Sequence, residues 1–128
     1  MFRFDKIMVP LDGSEFAEMA LEPALAIARG MSAEVVLFRV AQPIPRTQAL
    51  AAMPDVYDDV VAATIREAED YLVTLRATLP DERVLVEVRP GEPGVASQIM
   101  DYAEVGGVDL IVMSSHGLTG VRRWTYGS

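Results

Sequence analysis

Two stretches of the chain combine residue types that can do chemistry. In Pro10-Leu11-Asp12-Gly13-Ser14 a carboxylate stands beside a glycine, just after an apolar run. A carboxylate placed between the end of a strand and the start of a helix can reach a ribose hydroxyl or a metal ion. Near phosphates it would repel the ligand unless Mg²⁺ or Mn²⁺ stood between them. Asp12 can equally serve the chain itself, ordering the turn by accepting hydrogen bonds from nearby backbone amides. The spacing alone leaves both roles open. The second stretch, Met113-Ser114-Ser115-His116-Gly117-Leu118-Thr119-Gly120, is rich in small residues. Such a turn lets backbone N–H groups converge on an anion without side chains blocking its approach. Gly127-Ser128 then reads as a cap at the start of another helix, whose first amides favour phosphate. Arg122 and Arg123 either add charge there or form a solvated face.

Two alternating hydrophobic periods must position these residues. Ile7 to Leu11 is a short apolar run that reads as a strand. Ser14 is an N-cap, and Glu15 in the first turn suits the helix dipole. Ala17, Ala20, Leu21, Ala24, Leu25 and Ala28 then recur at three- and four-residue spacing. They predict one helix up to Gly30, bent at Pro23, which lacks a backbone donor. Val35 to Val40 is a second strand, and the proline-rich stretch Ala41 to Pro54 is a loop over a site. A second helix runs from Tyr57 to Leu79, with Val61, Ile65, Ala68, Leu72, Leu75 and Leu79 as its buried stripe. Val84 to Val88 is a third strand. Val95 to Val105 is a third helix with Val95, Ile99, Met100 and Ala103 facing inward, and Val108 to Met113 is a fourth strand.

Strands separated by helices need crossover connections, hence a parallel sheet with helices on its faces. The first and fourth strands are near-continuous apolar runs, as expected where both faces are covered. The fold class is therefore α/β, with an open, doubly wound parallel sheet in a three-layer α/β/α sandwich. The order of its strands does not follow from the pattern. Ligands of such sheets bind beyond the carboxyl ends of the strands, where the order reverses. The turns after Leu11, Val40, Val88 and Met113 are the places to search.

Composition excludes several classes. The net charge of −8 argues against binding nucleic acid or anionic membranes, whose phosphates attract Lys/Arg surfaces. With no cysteine and one histidine there is no disulfide, no thiolate chemistry and no His cluster for a transition metal. No run approaches the roughly 18 apolar residues of a membrane span. The charged start, Met1-Phe2-Arg3-Phe4-Asp5-Lys6, is unlike a secretory signal, so the expected location is the cytoplasm. A Walker-type phosphate loop is missing after the first strand. A phosphoacceptor receiver domain would need a paired acidic cluster after the first strand and an aspartate ending the third, which here ends at Val88-Arg89-Pro90.

The stretch Asp5 to Ser14 resembles the first strand of the universal stress protein family, whose fold is adenine nucleotide alpha hydrolase-like. Leu110 to Gly117 and Gly127-Ser128 resemble its nucleotide loop. ATP-binding members carry glycine, two residues, glycine, nine residues, then glycine and Ser/Thr. In this chain Gly117, the nine residues Leu118 to Tyr126, and Gly127-Ser128 match that spacing, while Ser114 replaces the first glycine. The resemblance covers all 128 residues, as one domain. It implies an ATP-binding regulatory protein of the bacterial or archaeal stress response, with Mg²⁺ or Mn²⁺ accompanying the nucleotide and hydrolysis slow at most. Pro10, Leu11 and Asp12 match positions that line the nucleotide, with Asp12 reaching the metal only through it. Val40 matches the position whose backbone meets adenine. Met113, Ser114, His116 and Gly117 match the loop under ribose and phosphates, and Gly127 and Ser128 the phosphate-binding helix start. No residue is assigned a catalytic role. Family members continue with a last helix and a fifth strand that often mediates dimerisation. The resemblance thus implies a homodimer, and a domain that lacks those two elements within its 128 residues. Ser114 supports an alternative, a nucleotide-free dimerising module. A true enzyme would have to work with Asp12 and His116, which have no recognisable catalytic partner.

Overall fold

The computed structural model describes residues 3–44, 47–80, 83–91 and 94–115. In chain order its elements are β1 (Lys6–Pro10), α1 (Glu15–Glu18), α2 (Leu21–Met31), β2 (Glu34–Val40), α3 (Gln48–Ala51), α4 (Pro54–Ala77), β3 (Val84–Arg89), α5 (Val95–Val105) and β4 (Leu110–Ile111). The four strands form one parallel sheet in the order β3-β2-β1-β4. Ile7 stands level with Val35 on one side and Leu110 on the other.

Alternation along the strands sends successive side chains to opposite faces. Ile7, Val9, Leu11, Val35 and Leu37 pack under α2 and α4, against Leu21, Ala24, Leu25, Ala28 and Leu72. Met8 and Phe38 point the other way and meet Ile99 of α5. The sandwich therefore has the three layers expected. Right-handed crossovers account for the division. The path β1-β2-β3 moves across the sheet in one direction and lays α2 and α4 on one face. The return to β4 reverses direction and lays α5 on the other. Burying each of these large apolar side chains contributes about 1.5–3 kcal/mol relative to exposure.

Several local expectations are corrected. The first helix is two helices. Met19 and Ala20 donate to Phe16 and Ala17, three residues back rather than four, and α2 starts afresh at Leu21. Continuing the helix would press the Pro23 ring against the carbonyl of Met19. Restarting puts Pro23 third in α2, where a missing N–H costs nothing. Nor does Gly30 stop α2. The left-handed residue is Ser32, with φ 55°, and the Ala33 amide closes the end on Ala28. The loop from Ala41 to Pro54 contains α3, and α4 begins earlier than Tyr57 because Pro54 suits a first helical position. In α5, Val95 and Met100 are exposed and Ile99 carries the inward face.

Full burial falls on β1 and β2 rather than on β1 and β4. With β1 in the middle of the order, Ile7, Met8 and Val9 lose all contact with solvent. β4 stands at the end of the order and is shorter than expected. Its ladder continues on both sides through Asp109 N–H to the Lys6 carbonyl and Val112 N–H to the Met8 carbonyl, each 2.9 Å.

Candidate functional site

The order of strands reverses between β1 and β4, so their carboxyl ends leave the sheet as neighbours and open a crevice. At the end of β1 the chain continues one step as a strand, with Leu11 N–H donating to the Phe38 carbonyl at 2.7 Å. It then turns sharply. Asp12 Oδ1 accepts from the Ser14 amide at 2.9 Å and from the Ser14 hydroxyl at 2.5 Å. Ser14 Oγ in turn accepts from the Ala17 amide at 3.1 Å and caps α1, as the residue types led us to expect. Gly13 sits between them at φ +90°, a conformation that glycine adopts without strain.

Asp12 therefore orders the turn, one of the two roles left open by its position. Its carboxyl is held below the usual carboxylate range, first by the Ser14 hydroxyl and then by the Ser14 amide, both of which favour the charged form. The carboxylate remains exposed and ionised, so structural service does not withdraw it from a ligand.

Pro10, Leu11 and Asp12 form one side of a cleft of about 210 Å³, and Met113 and Ser114, beyond β4, form part of another. Val40 lines it from the end of β2. The structure thus gathers Pro10, Leu11, Asp12, Val40, Met113 and Ser114 around one space. His116, Gly117, Gly127 and Ser128 lie outside the described residues. Among the described residues Ser32 is the one non-glycine with positive φ. Ser114 hence carries no left-handed strain, and its backbone does not require the glycine it replaces.

Sequence reasoning missed Phe16, Ala17, Phe38, Val95 and Ile99, which complete the lining. Two of them had a readable signal. Phe38 lies two residues before Val40, hence on the same face of β2, and Ile99 lies one helical turn after Val95. The walls are mostly apolar, with Asp12 and Ser114 supplying polar groups among them, the usual constitution of a small-molecule site. No group of three or more His, Asp or Glu side chains able to hold a metal ion occurs among the described residues. No helix among them is long and apolar enough to cross a membrane.

The chain matches the model of the universal stress protein family over residues 3–128. It is 28% identical to universal stress protein YxiE of Bacillus subtilis, covering 98% of this chain and 88% of that one. Among solved structures it is similar to universal stress protein UspA from Lactobacillus plantarum, with 28% identity and a TM-score of 0.66, over 100% of this chain and 88% of that one. A universal stress protein solved in complex with cAMP shares the fold at 20% identity and a TM-score of 0.53, over 88% of this chain and 73% of that one. This chain belongs to the universal stress protein family.

Proposed function

We propose that this universal stress protein binds an adenine nucleotide, ATP above others, in the cleft between the β1 turn and the segment after β4. It acts as a regulatory binding protein that hydrolyses its ligand slowly at most. The observation that carries the reading is that Asp12 and Ser114 both line one apolar-walled crevice where the strand order reverses. Phe38, Val40 and Ile99 offer the apolar contact that a purine needs. Asp12, kept ionised by Ser14, is suited to a ribose hydroxyl or to a divalent ion carried by the phosphates, since it would repel phosphate alone. The residues present therefore fit a nucleotide with Mg²⁺ or Mn²⁺, the ion neutralising phosphate charge. By family resemblance His116, Gly117, Gly127 and Ser128 meet the phosphates. A cytoplasmic homodimer goes with this reading.

Isothermal titration with Mg-ATP and, separately, with cAMP tests it. Saturable binding of ATP in the micromolar range is expected. No heat at millimolar nucleotide, which means binding weaker than about −4 kcal/mol, overturns the proposal. Saturation by cAMP with no response to ATP keeps the site but changes its ligand.

A further inference from the structure

We propose that Arg39 is a positioning residue for this cleft: its buried guanidinium, held by α4, backs the glycine of the β1 turn and fixes the direction in which Asp12 is presented. The functional consequence rests on the nucleotide reading above, but the geometry does not.

Arg39 stands next to the end of β2, on the face covered by α4, and is 8% exposed. A charge is expensive to bury, and an apolar residue would fill a core-facing strand position without that cost. What surrounds the guanidinium explains its presence. A Cβ placed on Gly13 would lie 3.4 Å from Nη2, 3.5 Å from Cζ and 3.6 Å from Nη1. Three near-equal distances mean that the glycine meets the flat of the guanidinium rather than its edge. The same Nη2 is 3.6 Å from Glu67 Oε1, and Cζ is 4.9 Å from the centre of the Tyr71 ring. Glu67 and Tyr71 are four residues apart and so share one face of α4. The Tyr71 hydroxyl then donates to Glu18 Oε2 of α1 at 2.6 Å.

The contacts form a closed circuit from β2 to Gly13, through the turn to α1, and back through Tyr71 to Arg39. The turn is thereby gripped from behind while Asp12 faces the cleft. Lysine would carry the charge but lacks the planar face that lies against Gly13 and Tyr71.

The test compares wild type with Arg39→Met and Arg39→Lys in the full chain. Amide hydrogen exchange is read at Ser14 and Ala17, whose N–H groups bond to Asp12 and Ser14, and at Val9 and Leu37 in the core. Mg-ATP affinity is measured alongside. In Arg39→Met, exchange at Ser14 and Ala17 should accelerate at least tenfold, with Val9 and Leu37 unchanged and affinity at least tenfold weaker. Arg39→Lys should recover part of both. Unchanged exchange at Ser14 and Ala17 overturns the proposal. So does equal acceleration throughout the core, which would mean a merely structural role. If Arg39→Met fails to fold, Tyr71→Phe, which removes only the bond to Glu18, should show the same local acceleration to a smaller degree, and no change there overturns the proposal. The two readings fail separately. Wild type that binds no nucleotide, with the exchange pattern as expected, removes the ligand and keeps the positioning role. Wild type and Arg39→Met that bind equally remove the positioning role alone.

Discussion

Replacing Asp12 by Asn separates the charge of the turn from its shape. The amide oxygen can still accept from the Ser14 amide and hydroxyl, which reach Asp12 Oδ1 at 2.9 and 2.5 Å. What disappears is charge assistance, the difference between about 1.5–3 kcal/mol for a bond to a charged group and about 0.5–1.5 for a neutral one. Two bonds each losing about 1 kcal/mol would give about 2. Asp12 is exposed, however, and solvent screening brings the expected loss to about 1 kcal/mol. In a domain of this size that lowers the melting temperature by roughly 3–5 °C. The pH dependence has a definite sign. Ser14 lowers the folded-state pKa of Asp12 beneath its ordinary value of 3.8, so this stabilisation is present above that value. It is lost as the pH falls through the depressed folded pKa. Parallel thermal unfolding of wild type and Asp12→Asn should therefore show a constant gap from neutrality down to about pH 4, closing in stronger acid. Identical midpoints at neutral pH, or a gap that widens on acidification, would refute the assignment of the turn to the ionised carboxylate.

Two further substitutions test the frame around the site. Leu72→Ala removes a side chain with no exposure from the α4 face of the core, and urea unfolding should show a loss of about 2–5 kcal/mol with an unchanged slope. Pro23→Ala should shift stability by less than about 1 kcal/mol, because the third residue of α2 needs no amide partner; a gain of about 3 kcal/mol would place Pro23 in a helix interior instead.

The layers were legible because each rests on a period in the sequence. Ile7 to Leu11 and Val35 to Val40 alternate between two covered faces, and Ala68 and Leu72 lie on a helical stripe that packs on one of them. The details that escaped depend on neighbours distant along the chain. Val95 and Met100 belong to an apolar helix, but which of its residues turn inward is decided by where α5 crosses Met8 and Phe38. The break at Met19 and Ala20 was partly announced by Pro23. Its place four residues upstream follows from a clash with a backbone carbonyl, not from any side-chain pattern.

The site was legible for a different reason, and only in part. Asp12, Gly13 and Ser14 act on one another within three residues, so their turn could be read locally. Arg39 could not, because a lone arginine among apolar strand residues says nothing about the glycine it lies against. That glycine is 26 positions away along the chain and becomes a neighbour only through the parallel pairing of β1 with β2. The same pairing sets Pro10 level with Phe38, which places the end of β2 beside the turn. A one-residue slip of that register would turn Arg39 to the opposite face and remove the support from behind Gly13. The apolar alternation that buries Val35 and Leu37 under α2 and α4 therefore also fixes where the charge arrives. In this protein the packing of the core and the aim of Asp12 depend on one register.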